Sequence, residues 1–536
     1  MASSCMTRRA FLRTVGLGLG AAAVGSGCAP VEQRDEAAGA PAGAESGARA
    51  PGSAADEAAA GKQAKPAGAG LRRGRHNVLL ICVDDLRPQL GCFGCDFMVT
   101  PNIDRLADEG RLFTHHYVQS AVCGPSRCSM LTGQPQHSWD CWKKARSLKA
   151  EPERPVSVAH LFRRAGYRTV CIGKVSHQPG GVMDPEQTVH QVPFSWDKAF
   201  APVGPWRTPW RAFFSYAGGK AYNKVIRMEK DEPRLPYECT DVPDTGYADG
   251  LNAEAAVAEL RSLAEGDAPF FLAVGFYKPH LPFNAPKKHW DLYNPDTIAL
   301  AENAFPPKHV DAAVSLHRSF ELTTHYDWPA GEGNVPEEKA RLLRHAYYAC
   351  TSYVDAQIGT VLDEARRLGL MDRTVVCLWS DHGWHLGEHG MWGKQTNFEV
   401  AVRSPLILAA PGLQDRGRRA HGLVETVDLV PTLADLCGLA PPDGLAGTSL
   451  VPLLENADGP GKAEACSFHP RGNLMGRTLR TLRYRLVHWT NRKGETAQVE
   501  LYDHAIDPDE NTNVAGRYPK LVDRLLAQLK RRSGEG

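Results

Sequence analysis

A series of stretches in this chain is apolar at nearly every position for the length of a strand, and each stops at a polar or small residue. Val78-Leu79-Leu80-Ile81-Cys82-Val83 runs into Asp84-Asp85, and Tyr167 to Gly173 runs into Lys174. Pro269 to Phe276 ends before Tyr277-Lys278-Pro279-His280, Thr374 to Ser380 before Asp381-His382-Gly383, and residues 405–410 before Pro411-Gly412. Continuous apolar runs of this length predict strands buried on both faces. Between them, residues 102–110, 156–165, 253–264 and 337–368 carry apolar positions at helical spacing. Strands alternating with helices predict an α/β fold, a large, mainly parallel sheet flanked by helices. Val122-Cys123-Gly124-Pro125-Ser126-Arg127 predicts a helix start, because Pro125 suits a first turn. That sets Cys123 beside free amides with Arg127 one turn on, a place suited to an anion.

The pattern fails in two regions. Residues 178–250 are rich in Pro, Gly and aromatics without a period, which predicts a long surface insertion of the kind that shapes a substrate pocket. A second irregular stretch runs from the end of the Pro269–Phe276 strand to about Val335. A Pro/Gly-rich span at 440–458 separates a C-terminal part, where residues 478–489 and 500–503 predict a small antiparallel sheet and 521–531 a closing helix. The expected organisation is a leader over 1–29, a linker over 30–72, a catalytic domain over 73–450 and a C-terminal subdomain over 451–536.

Composition alters the picture mainly at the N-terminus. Arg8-Arg9 precedes a Gly/Ala-rich apolar stretch, Val15 to Val24, too short to span a bilayer and read as a twin-arginine export signal. Cys28 is either the lipidated first residue of a mature lipoprotein or an incidental residue of a cleaved signal. Either way the expected location is the periplasm or cell surface, with membrane contact only through a lipid on Cys28. The Ala/Gly/Pro-rich linker cannot build a core. A formal net charge of +1 over 536 residues excludes a polyanion-binding surface spread over the whole protein, and no nucleic-acid partner is expected. Of 14 cysteines, Cys5 and Cys28 lie in the leader, and Cys82, Cys171 and Cys377 sit inside strand-like runs as buried thiols. Cys92 and Cys95 form a lone C-x2-C without the second pair a zinc site needs, and one or two disulfides are open to the rest after export.

The candidate chemistry lies where strands end, the place where open α/β sheets bind ligands. Asp84-Asp85 and Asp381-His382 are acidic clusters at such ends, and adjacent carboxylates repel unless a cation lies between them. An oxygen-rich set favours calcium or magnesium over zinc. Lys174, His177, His280 and Lys394 fall close behind the same strands, and together they make a cationic pocket for a tetrahedral anion.

Cys123 to Gly133 matches C-x-P-S-R-x-x-x-L-T-G at every fixed position. With D-D-L-R-P from Asp84, L-G-C-F-G from Leu90, P-N-I-D-R-L from Pro101, G-K-V-S-H from Gly173, the run from Phe270 to Phe283 and S-D-H-G-W-H-L-G-E-H-G from Ser380, the chain resembles the type I sulfatase family. That family lies within the alkaline-phosphatase-like superfamily, and the resemblance is closest to its iduronate-2-sulfatase branch. It implies that a separate maturation enzyme oxidises Cys123 to formylglycine (3-oxoalanine). It implies one calcium ion held by Asp84, Asp85, modified Cys123, Asp381 and His382, although many family members place Asn where His382 stands. Hydrated formylglycine would attack sulfur through one hydroxyl of a geminal diol, giving a covalent sulfo-enzyme. Arg127, Lys174 and Lys394 would stabilise charge, with Lys174, Lys394 and His280 binding the sulfate. His280 would also protonate the leaving alcohol, and His177 would take a proton from the second hydroxyl to expel sulfate. The implied substrate is a 2-O-sulfate on a terminal uronic acid of a sulfated oligosaccharide or polysaccharide. Two alternatives stand beside it: a phosphate or phosphonate ester hydrolase on the same scaffold, and a non-catalytic surface protein that binds sulfated glycan.

Overall fold

Asn77–Val83 forms β1, and its alternate residues feed two different cores. Val78, Leu80 and Cys82 face one, while Leu79, Ile81 and Val83 face the other. This is why the run is apolar without alternation. The computed structural model describes residues 70–183, 189–222, 234–328 and 335–533. The leader, Cys28 and nearly all of the linker lie outside the described residues. Among the described residues, no helix is long and apolar enough to cross a membrane.

The other strands of the large sheet are β2 (Arg111–Tyr117), β3 (Arg168–Gly173), β4 (Lys198–Phe200), β5 (Phe270–Phe276), β6 (Thr374–Ser380), β7 (Leu406–Ala409) and β8 (Arg419–Glu425). Their order is β8-β2-β7-β6-β1-β5-β3-β4, and only β7 runs antiparallel to its neighbours. The α/β, mainly parallel architecture is as expected. Three helices matter for the site: α1 (Pro101–Glu109), α2 (Cys123–Thr132) and the long α3 (Glu337–Arg367). Helices α1 and α3 cover one face of the sheet through Ile103, Leu106, Val354, Ile358 and Val361. Helix α2, which carries the Cys123 motif, packs Cys128, Met130 and Leu131 on the opposite face.

Register fixes where the chemistry lies. Val83 pairs with Phe276 on one side and Ser380 on the other, and Gly173 pairs with Gly275. Residues 84, 174, 277 and 381 therefore leave the sheet at one edge. Gly173 has φ +69, and a Cβ there would meet the Gly275 carbonyl oxygen at 2.1 Å, so only glycine lets the chain turn into Lys174.

Three local expectations change. Residues 178–250 are more than a surface insertion: β4 extends the main sheet beside β3, and Trp206, Ala212 and Phe213 build a small core with Tyr277. Strands this short, in a stretch crowded with Pro and Gly, leave no readable period. Strands β2 and β8 also escape the apolar-run criterion, because β2 carries His115 and His116 and the outer strand β8 is half polar. The run 478–489 is two strands rather than one. With β9 (Ala465–Arg471) before it, the chain forms β10 (Leu474–Arg480), turns at Thr481–Arg483, and continues as β11 (Tyr484–Asn491). Strand β12 (Thr496–Asp503) completes a four-stranded antiparallel sheet, covered by helix α4 (Pro519–Ser533). That sheet is tied to the motif segment: Phe468 N–H donates to the Gln119 carbonyl at 2.7 Å. All twelve cysteines among the described residues carry free thiols.

Candidate active site

Helix α2 begins at Cys123 itself and ends at Gly133, whose φ of +65 and N–H bond to the Ser129 carbonyl close the last turn. Cys123 is buried, with Sγ 3.3 Å from His382 Nε2, 3.4 Å from Lys394 Nζ and 4.0 Å from Asp85 Oδ1. Burial, and then the charge of Asp84, push its thiol well above the ordinary range. As a cysteine it stays protonated and is a poor nucleophile.

Around it stand the strand-end acids, all fully buried. Ligand atoms of Asp84, Asp85, Cys123 and His280 lie within 4.8 Å of one another, as do those of Cys123, Asp381 and His382. Asp85 adopts φ +60, a left-handed conformation for a residue directly after a strand, and its N–H donates to Asp381 Oδ1 at 3.0 Å. Arg127 is buried beneath the cluster, where Nε donates to Asp381 Oδ2 at 2.8 Å and Nη2 to Asp84 Oδ1 at 3.0 Å. Lys174 donates to Asp84 Oδ2, and Lys394 to both oxygens of Asp85 at 2.8 and 3.0 Å. Burial works to raise the Asp84 carboxyl, but Lys174 and Arg127 hold it well below the usual carboxylate range.

This donor set fits a hard cation such as calcium. Three carboxylates in a buried cluster supply the oxygen ligands that such an ion takes. His382 also fits, because Nδ1 faces the Gly383 carbonyl at 3.1 Å and Asp85 Oδ1 at 3.5 Å, both acceptors. Nε2 lies 3.3 Å from Cys123 Sγ and 3.7 Å from Asp381 Oδ1, and with the proton on Nδ1 its lone pair would serve the ion.

Above the cluster is a cavity of about 610 Å³. Lys174, Lys394 and His280, which stand against the buried carboxylates, form its floor with Cys123, and polar His177, Glu321, His325 and Gln395 line the rest together with aromatic Trp139, Trp210, Phe213, Phe214 and Phe320. His177 lies edge-on to Trp139 and Trp210, with ring centroids 4.9 and 5.6 Å away. Burial, and then the charge of Lys174, push it down to about 3, so the ring is neutral. Its Nδ1 is buried without a hydrogen-bond partner. His280 Nδ1 lies 2.6 Å from the Leu281 carbonyl and Nε2 2.9 Å from Glu321 Oε1. Both nitrogens face acceptors.

The structure thus brings together every site residue singled out from the sequence. Glu321 is an addition. Its carboxylate bridges His280 and Lys394 Nζ (3.4 Å) at the cavity wall, and although burial raises it, Lys394 and His280 hold it well below its usual range. It lies in the aperiodic stretch before Val335, where no spacing marks it. The aromatic walls were equally hidden: Trp139 stands in a polar segment, and Trp210, Phe213 and Phe214 in the Pro/Gly-rich region.

Comparison with known proteins gives a consistent result. A family model described as Sulfatase matches residues 76–439, and one described as N-sulphoglucosamine sulphohydrolase, C-terminal, matches 387–534. Iduronate 2-sulfatase of Mus musculus is 35% identical over 397 residues, covering 68% of this chain and 69% of its own. The crystal structure of the phosphonate monoester hydrolase of Agrobacterium radiobacter is 25% identical, with a TM-score of 0.67, covering 86% of this chain and 96% of its own. A structure in complex with its substrate D-glucosamine-2-N,6-O-disulfate is 22% identical, with a TM-score of 0.64, and covers 86% of this chain and 99% of its own.

Proposed function

The chain belongs to the sulfatase family and is a sulfuric ester hydrolase, and from that premise we propose that it removes the 2-O-sulfate from a terminal uronic acid of a sulfated glycan fragment. The observation that carries the chemistry is the convergence of Asp84, Asp85, Asp381 and His382 on Cys123, beneath a floor of Lys174, His280 and Lys394. The substrate rests on the likeness to iduronate 2-sulfatase.

Members of the family generally use calcium and formylglycine. Here Asp84, Asp85, Asp381, His382 and residue 123 would hold the ion, whose charge would favour an anionic substrate and an ionised hydroxyl. Formylglycine at 123, when hydrated, would supply a nucleophilic hydroxyl and a second, ionisable one on the same carbon. The remaining work falls to the side chains of the chain itself. Lys174 and Lys394 neutralise sulfate oxygens. His280 would share its Nε2–H between Glu321 and the leaving oxygen once substrate is bound. His177, whose buried Nδ1 has no partner within the protein, would accept the proton released when sulfate departs. Arg127 has no exposed surface and holds Asp84 and Asp381 in place from below.

A panel of oligosaccharides, each sulfated at one defined position, tests this reading alongside matched phosphate esters. Release of inorganic sulfate from the terminal 2-O-sulfated uronate is expected to lead the panel. Faster release from another position would remove the proposed substrate but leave the hydrolase, and phosphate release outrunning sulfate would favour the phosphonate-hydrolase alternative.

Glu321→Gln checks the assignment of His280. It retains shape but loses the charge that orients the ring, and kcat on a sugar sulfate should fall roughly tenfold, part of the contribution of a general acid. An aryl sulfate, whose leaving group needs no proton, should lose much less. Equal losses on both esters would argue against His280 as the acid.

A further inference from the structure

We propose that Trp139 is a stacking platform for the ring of the leaving alcohol, so that this enzyme selects sulfate esters carried on a pyranose ring over those on open-chain alcohols. The inference rests on the sulfatase reading above and adds a specificity residue to it.

The six-membered ring of Trp139 lies directly on the backbone of Gly124, the residue after Cys123. A Cβ at 124 would sit 2.6 Å from Cζ3 and 2.7 Å from Cε3 of the indole. No real Cβ tolerates such contacts, so the indole reaches this place only because position 124 is glycine. The motif leaves that position variable, and this chain uses it to seat an aromatic ring beside the reacting residue.

That ring is held yet open. Its edge-on contact with His177, at 4.9 Å and 65° between planes, fixes it on one side. Trp139 nevertheless remains 58% exposed and lines the cavity with Cys123 and His280. An exposed indole lining a cavity beside the reacting residue is placed to meet what enters that cavity.

The division of the cavity points the same way. Lys174, His280 and Lys394 stand against the buried carboxylates, where the sulfate is expected, and the rest of the lining is polar at Glu321, His325 and Gln395 and aromatic at Trp139, Trp210, Phe213, Phe214 and Phe320. The leaving alcohol therefore meets ring faces. One face of a pyranose presents C–H groups, which pack on an indole while the hydroxyl edges stay in water. About 610 Å³ accommodates such a ring. A flexible open-chain alcohol gains less from the same surface and loses more conformational freedom on binding.

The test compares Trp139→Ala and Trp139→Phe with wild type, all three matured and calcium-loaded. The substrates are a methyl uronoside 2-sulfate, an open-chain secondary alkyl sulfate and an aryl sulfate. Because Trp139 is exposed, its truncation leaves the buried cores untouched. In Trp139→Ala the ratio of kcat/KM for the uronoside to that for the alkyl sulfate should fall roughly tenfold, mostly through KM, on the scale of aromatic stacking energies. Trp139→Phe should recover most of the ratio. An unchanged ratio overturns the inference while the sulfatase reading stands. A larger loss on the aryl sulfate than on the uronoside would give the platform to aromatic alcohols and overturn the pyranose assignment. Wild-type protein that hydrolyses none of the three overturns the uronate 2-sulfate reading and this inference with it.

Discussion

Cys123→Ala is expected to lower sulfate release by roughly 10⁴-fold or more, the scale on which enzymes lose rate when a nucleophile is removed. Cys123→Ser should behave alike when maturation is supplied by a system that converts cysteine rather than serine. The expectation follows from what surrounds the side chain. Burial and Asp84 keep the thiol protonated, so an unmodified cysteine cannot attack sulfur as a thiolate. Nor has a thiol a second hydroxyl through which a sulfated intermediate could collapse. The substitution removes one small buried atom, and its cost to folding should be about 1 kcal/mol. Sulfate release measured beside a thermal melt separates the two effects, and full activity in either variant would sink the mechanism.

Arg127→Met should damage stability and turnover together. The arginine is wholly buried, donating to Asp84, Asp381 and the Lys174 carbonyl, so its removal leaves two buried carboxylates short of a partner. Breaking a buried pair from one side typically costs about 3–5 kcal/mol. The pH dependence has a definite sign. Burial opposes ionisation of Asp84, but Lys174 and Arg127 depress its folded-state value well below that of an unfolded aspartate, about 3.9. A depressed carboxylate stabilises above the unfolded value and loses that contribution as pH falls toward the folded one. The difference between wild type and Arg127→Met should therefore be largest near neutrality and shrink below about pH 4. Denaturant melts at both pH values check this. A difference that grew on acidification would contradict the ion-pair role.

The strands of the sheet centre were legible because they are buried on both faces, and few structures besides a central strand produce so short and unbroken an apolar run. Once they were found, the carboxylates at their ends stood out, and register did the rest: Val83 beside Ser380 sets Asp84 next to Asp381. What escaped has a common cause. Glu321 and Trp139 reach the cavity from segments without helical or strand period, so their roles depend on tertiary contacts alone. Leu482, at the turn between two strands, is apolar yet 60% exposed, and its hydrophobicity joined two strands into one in the sequence pattern. The placement of Arg127 is a subtler case. Its motif puts it near an anion, but only the packed structure turns its guanidinium to the aspartates below rather than to the cavity above.

The most direct measurement is the mass of the peptide bearing Cys123, taken from protein matured in its native host and assayed for sulfate release in the same preparation. An aldehyde at position 123, in proportion to the activity, is the predicted result. An intact thiol in a preparation that releases sulfate at full rate would contradict formylglycine chemistry at this site.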